Sequence, residues 1–431
     1  MFRRVLLLGA ACACFALGAE APVESGLEGK TIREIRITGL EHTREDVVRN
    51  QLTAEVGDVY DPEVILHDQE RMDRLAVFSS ITVMPEVQGD EIVVHIEVVE
   101  TARFIPFPAF SFVEENGVSA GAGVKATSLL GRAISASLDV RLGGQQELEF
   151  LLDSPWGMRD KYWYGGEIHA RRRTNELDFF EEDAIEGEIR GGLQFGSDFR
   201  LGARLEFLTV HADIPEATLL EDQTESTPGV GLIAAYDTRD LWSDPHRGWL
   251  NTFTVTRFGG ILGGAGDFTK AVVDIQRYQP IAPKHTVNIS TFSTFHTGVV
   301  GEDIPIYRDI HLGGTNSVRG WSDLRARNGK NQFINTVEYR YDLVKPRSFR
   351  VFGANLYGGL KLAAFGDIGT VWNESEQFSN NFIGGAGVGL RVIVPFIQMI
   401  RLDFAFGQRG EGLVPHFGIR EKAFYHRRRV R

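Results

Sequence analysis

From about residue 104 onward, apolar and polar residues alternate in short runs separated by turns rich in Gly, Asp and Asn, the pattern of strands with two unlike faces. Ile134, Ala136, Leu138, Val140 and Leu142 alternate with Ser135, Ser137, Asp139 and Arg141. Near the other end, Ile400, Leu402, Phe404 and Phe406 alternate with Arg401, Asp403 and Ala405. Segments of this kind suit tilted membrane strands, with one face for lipid and one for a polar interior. Candidate strands start at Phe104, Gly117, Ala133, Gln145, Tyr162, Ile185, Arg200, Gly229, Gly248, Phe268, His285, Phe333, Leu360, Ile383, Gln398 and Pro415. That makes about sixteen, an even number as a closed antiparallel barrel prefers. A soluble β-sandwich is the competing arrangement, and repetition this regular without a cysteine staple favours the barrel.

Residues 30–102 follow a different rhythm, that of a small α+β unit in the order βααββ. Thr31 to Leu40 is strand-like, with Ile32, Ile35 and Ile37 among charges and Gly39 at its end. Thr43 is placed to cap a helix, with Asp46 three residues on and Val47, Val48 and Leu52 on its buried face. Asp61-Pro62 starts a second helix running to about Leu75, with Ile65, Met72 and Leu75 inward. Ser80 to Val87 and Glu91 to Val99 then form a hairpin around Gly89-Asp90.

Composition narrows the class further. The chain has 431 residues, is 43% hydrophobic and has a mean hydropathy of -0.13. After residue 20 no apolar run is long enough for a membrane helix, whereas a β-barrel hides easily in such a composition. A net charge of -12 argues against a nucleic-acid surface, and the chain ends in a basic tail, 425–431. Residues 1–20 have the form of a secretory signal: Arg3 and Arg4, an apolar run from Val5 to Leu17, then Gly18 and Ala19. Both cysteines, Cys12 and Cys14, fall inside it, so the exported chain is expected to carry no thiol. Acylation at Cys12 is the competing reading, though Gly9-Ala10-Ala11 is a poor approach to it.

The most informative single stretch is Gly313-Gly314-Thr315-Asn316-Ser317-Val318-Arg319-Gly320-Trp321, which lies in a long loop between the strand-like segments Val287 to Thr297 and Phe333 to Tyr341. An arginine among turn-forming glycines in that position suggests a cation folded back into a barrel. Strand parity supplies its partners. Val337, Tyr339 and Tyr341 suit lipid, which turns Glu338 and Arg340 inward; Leu360, Leu362 and Ala364 suit lipid, which turns Lys361 and Asp367 inward. Glu338 and Asp367 are therefore the acids expected to converge on Arg319.

These residues also carry a resemblance. GGTNSVRGW resembles the VRG(F/Y/W) signature of the BamA/TamA superfamily of outer-membrane assembly and translocation barrels, the bacterial surface antigen family. Phe365-Gly366-Asp367-Ile368-Gly369 resembles its F-x-D-x-G motif. Residues 30–102 are similar to one POTRA domain, and Tyr236-Asp237-Thr238-Arg239-Asp240 with Pro245 and Gly248 resembles a strand-turn-strand of the barrel. Ser128-Leu129-Leu130-Gly131-Arg132 resembles an early periplasmic turn. The implied fold is mainly β: a 16-stranded transmembrane antiparallel barrel over residues 104–424 preceded by a single periplasmic POTRA domain. The resemblance implies a loop lock of Arg319, Gly320, Trp321, Asp367 and Glu338. It also implies a lateral seam between the first strand (Phe104, Pro106, Pro108) and the last (Phe417, Ile419, Phe424), through which polypeptides are inserted or translocated.

Pro106 and Pro108 share one parity, so two ladder donors are missing on one side of the first strand, unless these prolines sit in the approach and never join the sheet. The implied partners are client polypeptides, outer-membrane lipid and, as an open class, accessory lipoproteins; no nucleic acid, metal or cofactor is called for. The alternatives are a passive channel plugged by the Arg319 loop and a dedicated exporter of one secreted partner. An enzyme is disfavoured: Gly117-Val118-Ser119-Ala120-Gly121 fits G-x-S-x-G but begins a strand, not a strand-to-helix elbow.

Overall fold

The computed structural model describes residue 27 and residues 29–419, apart from 74, 76, 114–115, 155–160, 176–179, 197, 221, 241–243, 322–326, 352–353, 395–397 and 409–411. The expected signal, the basic tail and Phe424 lie outside the described residues. The N-terminal module runs β1 (Thr31–Thr38), α1 (Glu45–Arg49), α2 (Pro62–Asp73), β2 (Phe78–Gln88) and β3 (Glu91–Glu100). Its sheet has the order β1-β3-β2, with β1 parallel and β2 antiparallel to the central β3. Ile92, Val94, Ile96 and Val98 of β3 project into a core with Ile32, Ile35, Val48 and Met72, which is why period-two and helical apolar patterns meet in so short a chain. The outer edge of β1 is covered by its own loop, since Ile32 N–H donates to the Asp58 carbonyl at 2.8 Å and Gly57 N–H to the Ile32 carbonyl at 2.8 Å. Among the described residues β2 has no ladder partner on its outer side.

Helix α2 spans Pro62–Asp73, and Asp61 caps it by accepting Glu63 N–H at 2.8 Å. One detail of the module differs from expectation. Thr43 is not the cap of α1, which begins after Arg44 without a side-chain cap. Its hydroxyl instead lies 2.8 Å from Ser128 Oγ, and its N–H donates to the Glu100 carboxylate at 2.8 Å. A tertiary contact has taken the hydroxyl that local capping would have used.

That contact joins the module to the barrel. Strands β4 (Phe104–Val113), β5 (Gly117–Leu129), β6 (Ile134–Gly143), β7 (Gln146–Ser154), β8 (Tyr162–Asn175), β9 (Phe180–Phe195), β10 (Phe199–Ala212) and β11 (Thr224–Asp237) form its first half. Strands β12 (Gly248–Gly259), β13 (Asp267–Ala282) and β14 (His285–His296) continue it. A long loop follows, containing the short hairpin β15 (Ile310–Leu312) and β16 (Arg327–Gly329). Strands β17 (Asn331–Val351), β18 (Ala354–Trp372), β19 (Ile383–Val394), β20 (Gln398–Gly407) and β21 (Leu413–Ile419) complete one 16-stranded antiparallel sheet that runs in chain order from β4 to β21. No helix among the described residues is long and apolar enough to cross a membrane.

The wall has the two faces that the alternation requires. Leu138, Val140, Leu142, Leu402, Phe404 and Phe406 face outward, whereas Asp139, Arg141, Arg401 and Asp403 are buried inside. The largest differences in strand starts are at Phe180, Thr224 and Ala354, well before the Ile185, Gly229 and Leu360 that the pattern suggests. In β9 the ladder extends past the apolar band: Asp183 pairs with Arg172 in register, joined by 2.5 and 2.6 Å contacts on the exposed face. At β17–β18, register shifts between Asp342, Val344 and Arg347 break the alternation that would have revealed the extension.

Candidate functional site

The lumenal loop is built to lie against the inner wall. Gly313 and Gly314 have left-handed φ values of 121° and 87°, and Ser317 Oγ closes the turn by accepting Gly313 N–H at 2.8 Å. Gly320, at φ 93°, sits so close to β20 that a Cβ would collide with the Phe406–Gly407 backbone. Trp321 packs with Leu312, Val318, Ile334, Val371 and Ile383, and its indole N–H donates to the Gly384 carbonyl at 3.1 Å. Apolar packing and missing side chains thus deliver Arg319 to one spot on the wall.

There Arg319 has no exposed surface. Its Nε and Nη2 grip Asp367 in a two-point pair at 2.7 and 3.0 Å, and its own backbone N–H donates to the same carboxylate at 3.1 Å. Nη1 reaches Glu338 at 3.2 Å and Asp403 at 3.0 Å. The guanidinium carbon lies 3.3 Å from the centroid of the Phe365 ring, so the aromatic of the F-x-D-x-G segment forms the floor under the cation. Both acids placed by parity are in contact with the arginine.

Sequence reasoning missed the rest of the network. Asp403 was on the inward face of its strand but had no assigned partner. Arg391 joins Glu338 at 2.7 Å and Asp403 at 2.5 Å, Arg340 donates to Glu338 at 2.8 Å, and Thr336 donates to Asp367 at 2.8 Å. His416 on β21 accepts the Gly320 N–H at 2.8 Å, and Arg401 donates to Asn316 at 2.9 Å. Inward parity was the available signal for each; which inward residues meet depends on register across five strands and on the path of the loop. A second ionic node lies nearer the N-terminal module. Lys361 Nζ contacts Asp244 of the β11–β12 turn at 2.5 Å and Asp342 at 2.9 Å, while Arg247 of that turn pairs with Glu70 of the module.

The two ends of the sheet meet differently from every other neighbouring pair. Among the described residues no backbone pairing joins β4 to β21. Phe112 and Phe417 instead meet edge-on with ring centroids 6.3 Å apart. Thr127 N–H donates to the Arg103 carbonyl at 2.9 Å, which sets the odd-numbered residues of β4 as those exchanging bonds with β5. Pro106 and Pro108, paired opposite Val124 and Ala122, therefore turn their backbone nitrogens toward β21. These prolines belong to the sheet, and both are exposed, as is Phe104. Ile419 pairs with Ile400 of β20. Ser119 of the G-x-S-x-G segment lies on β5, buried, with its hydroxyl donating to the Gln145 carbonyl at 2.9 Å.

A single-sheet barrel with an arginine-bearing loop bound inside it matches one family model, the Omp85 superfamily domain, over residues 128–419, well over half of the chain. The chain belongs to the Omp85 superfamily. Residues 30–101 match the POTRA model, described as a surface antigen variable number repeat. The outer membrane protein assembly factor BamA of Nitratidesulfovibrio vulgaris is 26% identical over 405 residues, covering 87% of this chain and 48% of that protein. BamA of Neisseria meningitidis serogroup B is 21% identical over 398 residues, with 83% and 48% covered. The chain thus spans about half the length of these curated relatives. Among solved structures, the fold is similar to BamA from Haemophilus ducreyi lacking POTRA domains 1-3, with a TM-score of 0.56, 14% identity, and 91% of this chain and 83% of that one covered. It is also similar to CdiB from Acinetobacter baumannii, with a TM-score of 0.57, 12% identity, and 90% and 73% covered. This Omp85 protein is an outer-membrane barrel with one POTRA domain on its periplasmic side.

Proposed function

We propose that this Omp85 barrel assists the insertion or translocation of polypeptides, using the β4–β21 seam as a lateral exit and the Arg319 loop as the lock that holds the inner wall in shape. The observation that carries the reading is the seam itself: β4 and β21 lie side by side with no ladder between them among the described residues, and two prolines remove two of the donors that β4 would turn toward β21. An unpaired edge offers main-chain groups to an incoming strand of any sequence. The client supplies the free energy, since pairing its strands and burying its lipid-facing side chains stabilise the product, and no enzymatic step is assigned. The open edge of β2 in the POTRA domain is a second place for an extended client segment, on the same main-chain principle. Client polypeptides and outer-membrane lipid are the proposed partners, with accessory lipoproteins left as a further class.

Reconstitution tests this directly. Liposomes containing the purified chain should speed the acquisition of protease protection by a newly synthesised barrel client over empty liposomes. Equal rates, with steady ion conductance through the reconstituted barrel, would assign the protein to a passive channel instead.

A further inference from the structure

Strand β21, like β4, is an end strand of the sheet among the described residues. It has a ladder on one side only, from Ile400↔Ile419 to Phe406↔Leu413, and on the other side the Phe112–Phe417 ring contact stands in for backbone pairing. One more element holds it, and that element is the lumenal loop. His416, buried on the inward face of β21, presents both ring nitrogens to the loop: Nε2 lies 2.8 Å from the Gly320 nitrogen and Nδ1 lies 3.2 Å from Thr315 Oγ1. A backbone N–H can only donate, so Nε2 is the acceptor, which leaves Nδ1–H to donate to the threonine. Gly320 directly follows Arg319, whose guanidinium is fixed to β17, β18 and β20 through Glu338, Asp367 and Asp403. The loop therefore braces the seam strand against three wall strands from inside.

From this geometry we infer that His416 is a positioning residue that couples the loop lock to the seam: while the loop is seated β21 is held closed, and opening the seam breaks the loop's bonds to β21. The inference rests on the lateral-seam reading for its use but not for its test, because the seam's geometry is measurable without any client. Spin labels at Phe110 and Leu413, both outward and exposed, report the separation of β4 from β21 in the reconstituted chain. His416→Leu removes the acceptor for Gly320 N–H, and loss of one buried hydrogen bond should raise the open-to-closed ratio about tenfold. His416→Gln keeps a side-chain carbonyl for that N–H and should restore most of the closed population. Thr315→Val, which leaves β21 unaltered, should shift the ratio in the same direction by less. Wild-type distances in His416→Leu would overturn the inference. So would a His416→Gln protein as open as His416→Leu, because that would make His416 a space-filler. If the distances shift as stated but insertion of clients does not respond to the seam, the coupling stands and the lateral-exit proposal falls.

Discussion

A guanidinium without exposed surface is tolerable only when each of its faces and donors is occupied, and Arg319 meets that condition through three carboxylates and the Phe365 ring. Arg319→Ala leaves Glu338, Asp367 and Asp403 with less compensation and should destabilise the barrel by about 3 to 5 kcal/mol. The urea midpoint and the heat-modifiable migration of the folded barrel check it; migration and midpoint unchanged from wild type would contradict it. Because the partners share one network, Arg319→Ala with Asp367→Ala should cost clearly less than the sum of the single changes, a coupling that a double-mutant cycle measures. Arg319 was legible in the sequence from the turn-forming glycines around it, and Glu338 and Asp367 because facing direction is a local property of a strand. Asp403, Arg391 and His416 were not, because their meeting depends on register and on where a long loop comes to rest.

At the scale of elements, sixteen alternating segments were readable because a membrane strand displays both of its environments in its own sequence. Their ends were less so wherever charge pairs such as Arg172–Asp183 carry the ladder past the apolar band. Thr43 shows the opposite failure, a strong local capping pattern overridden by a contact with Ser128 that no local rule foresees. The seam belongs to this scale as well. Proline parity said that donors were missing on one side, and the Thr127–Arg103 bond identifies that side as the one facing β21. Pro106→Val with Pro108→Val restores both N–H groups toward β21, so the doubly substituted barrel should be more closed and slower with clients. Label separation across the seam and client protection rate should both move in that direction, and an unchanged separation would show that the prolines do not limit closure.

For the molecule as a whole, the POTRA domain is bonded to two periplasmic turns. Arg44 N–H donates to the Gly131 carbonyl at 3.0 Å beside the Thr43–Ser128 contact, and Glu70 pairs with Arg247 beside the Lys361 node. Ser128, Leu130 and Ala133 all hold left-handed φ values in the first of these turns, a shape that the docked domain helps to maintain. Thr43→Val should therefore speed amide exchange in residues 128–133 by about five- to tenfold, in keeping with one lost hydrogen bond, while exchange within the barrel ladder stays unchanged. Such docking places the open edge of β2 and the barrel floor within one periplasmic unit, so a client segment held on the domain would be delivered close to the barrel.

The central claim is that polypeptides leave through the β4–β21 seam, and a reversible lock tests it most directly. Cysteines at Phe112 and Phe417, whose rings meet across the seam, are introduced with Cys12 and Cys14 replaced by serine, so that the new pair is the only one in the chain. The oxidised protein in liposomes should lose most of its acceleration of client insertion and regain it on reduction. Insertion at full rate with the disulfide intact would contradict the account.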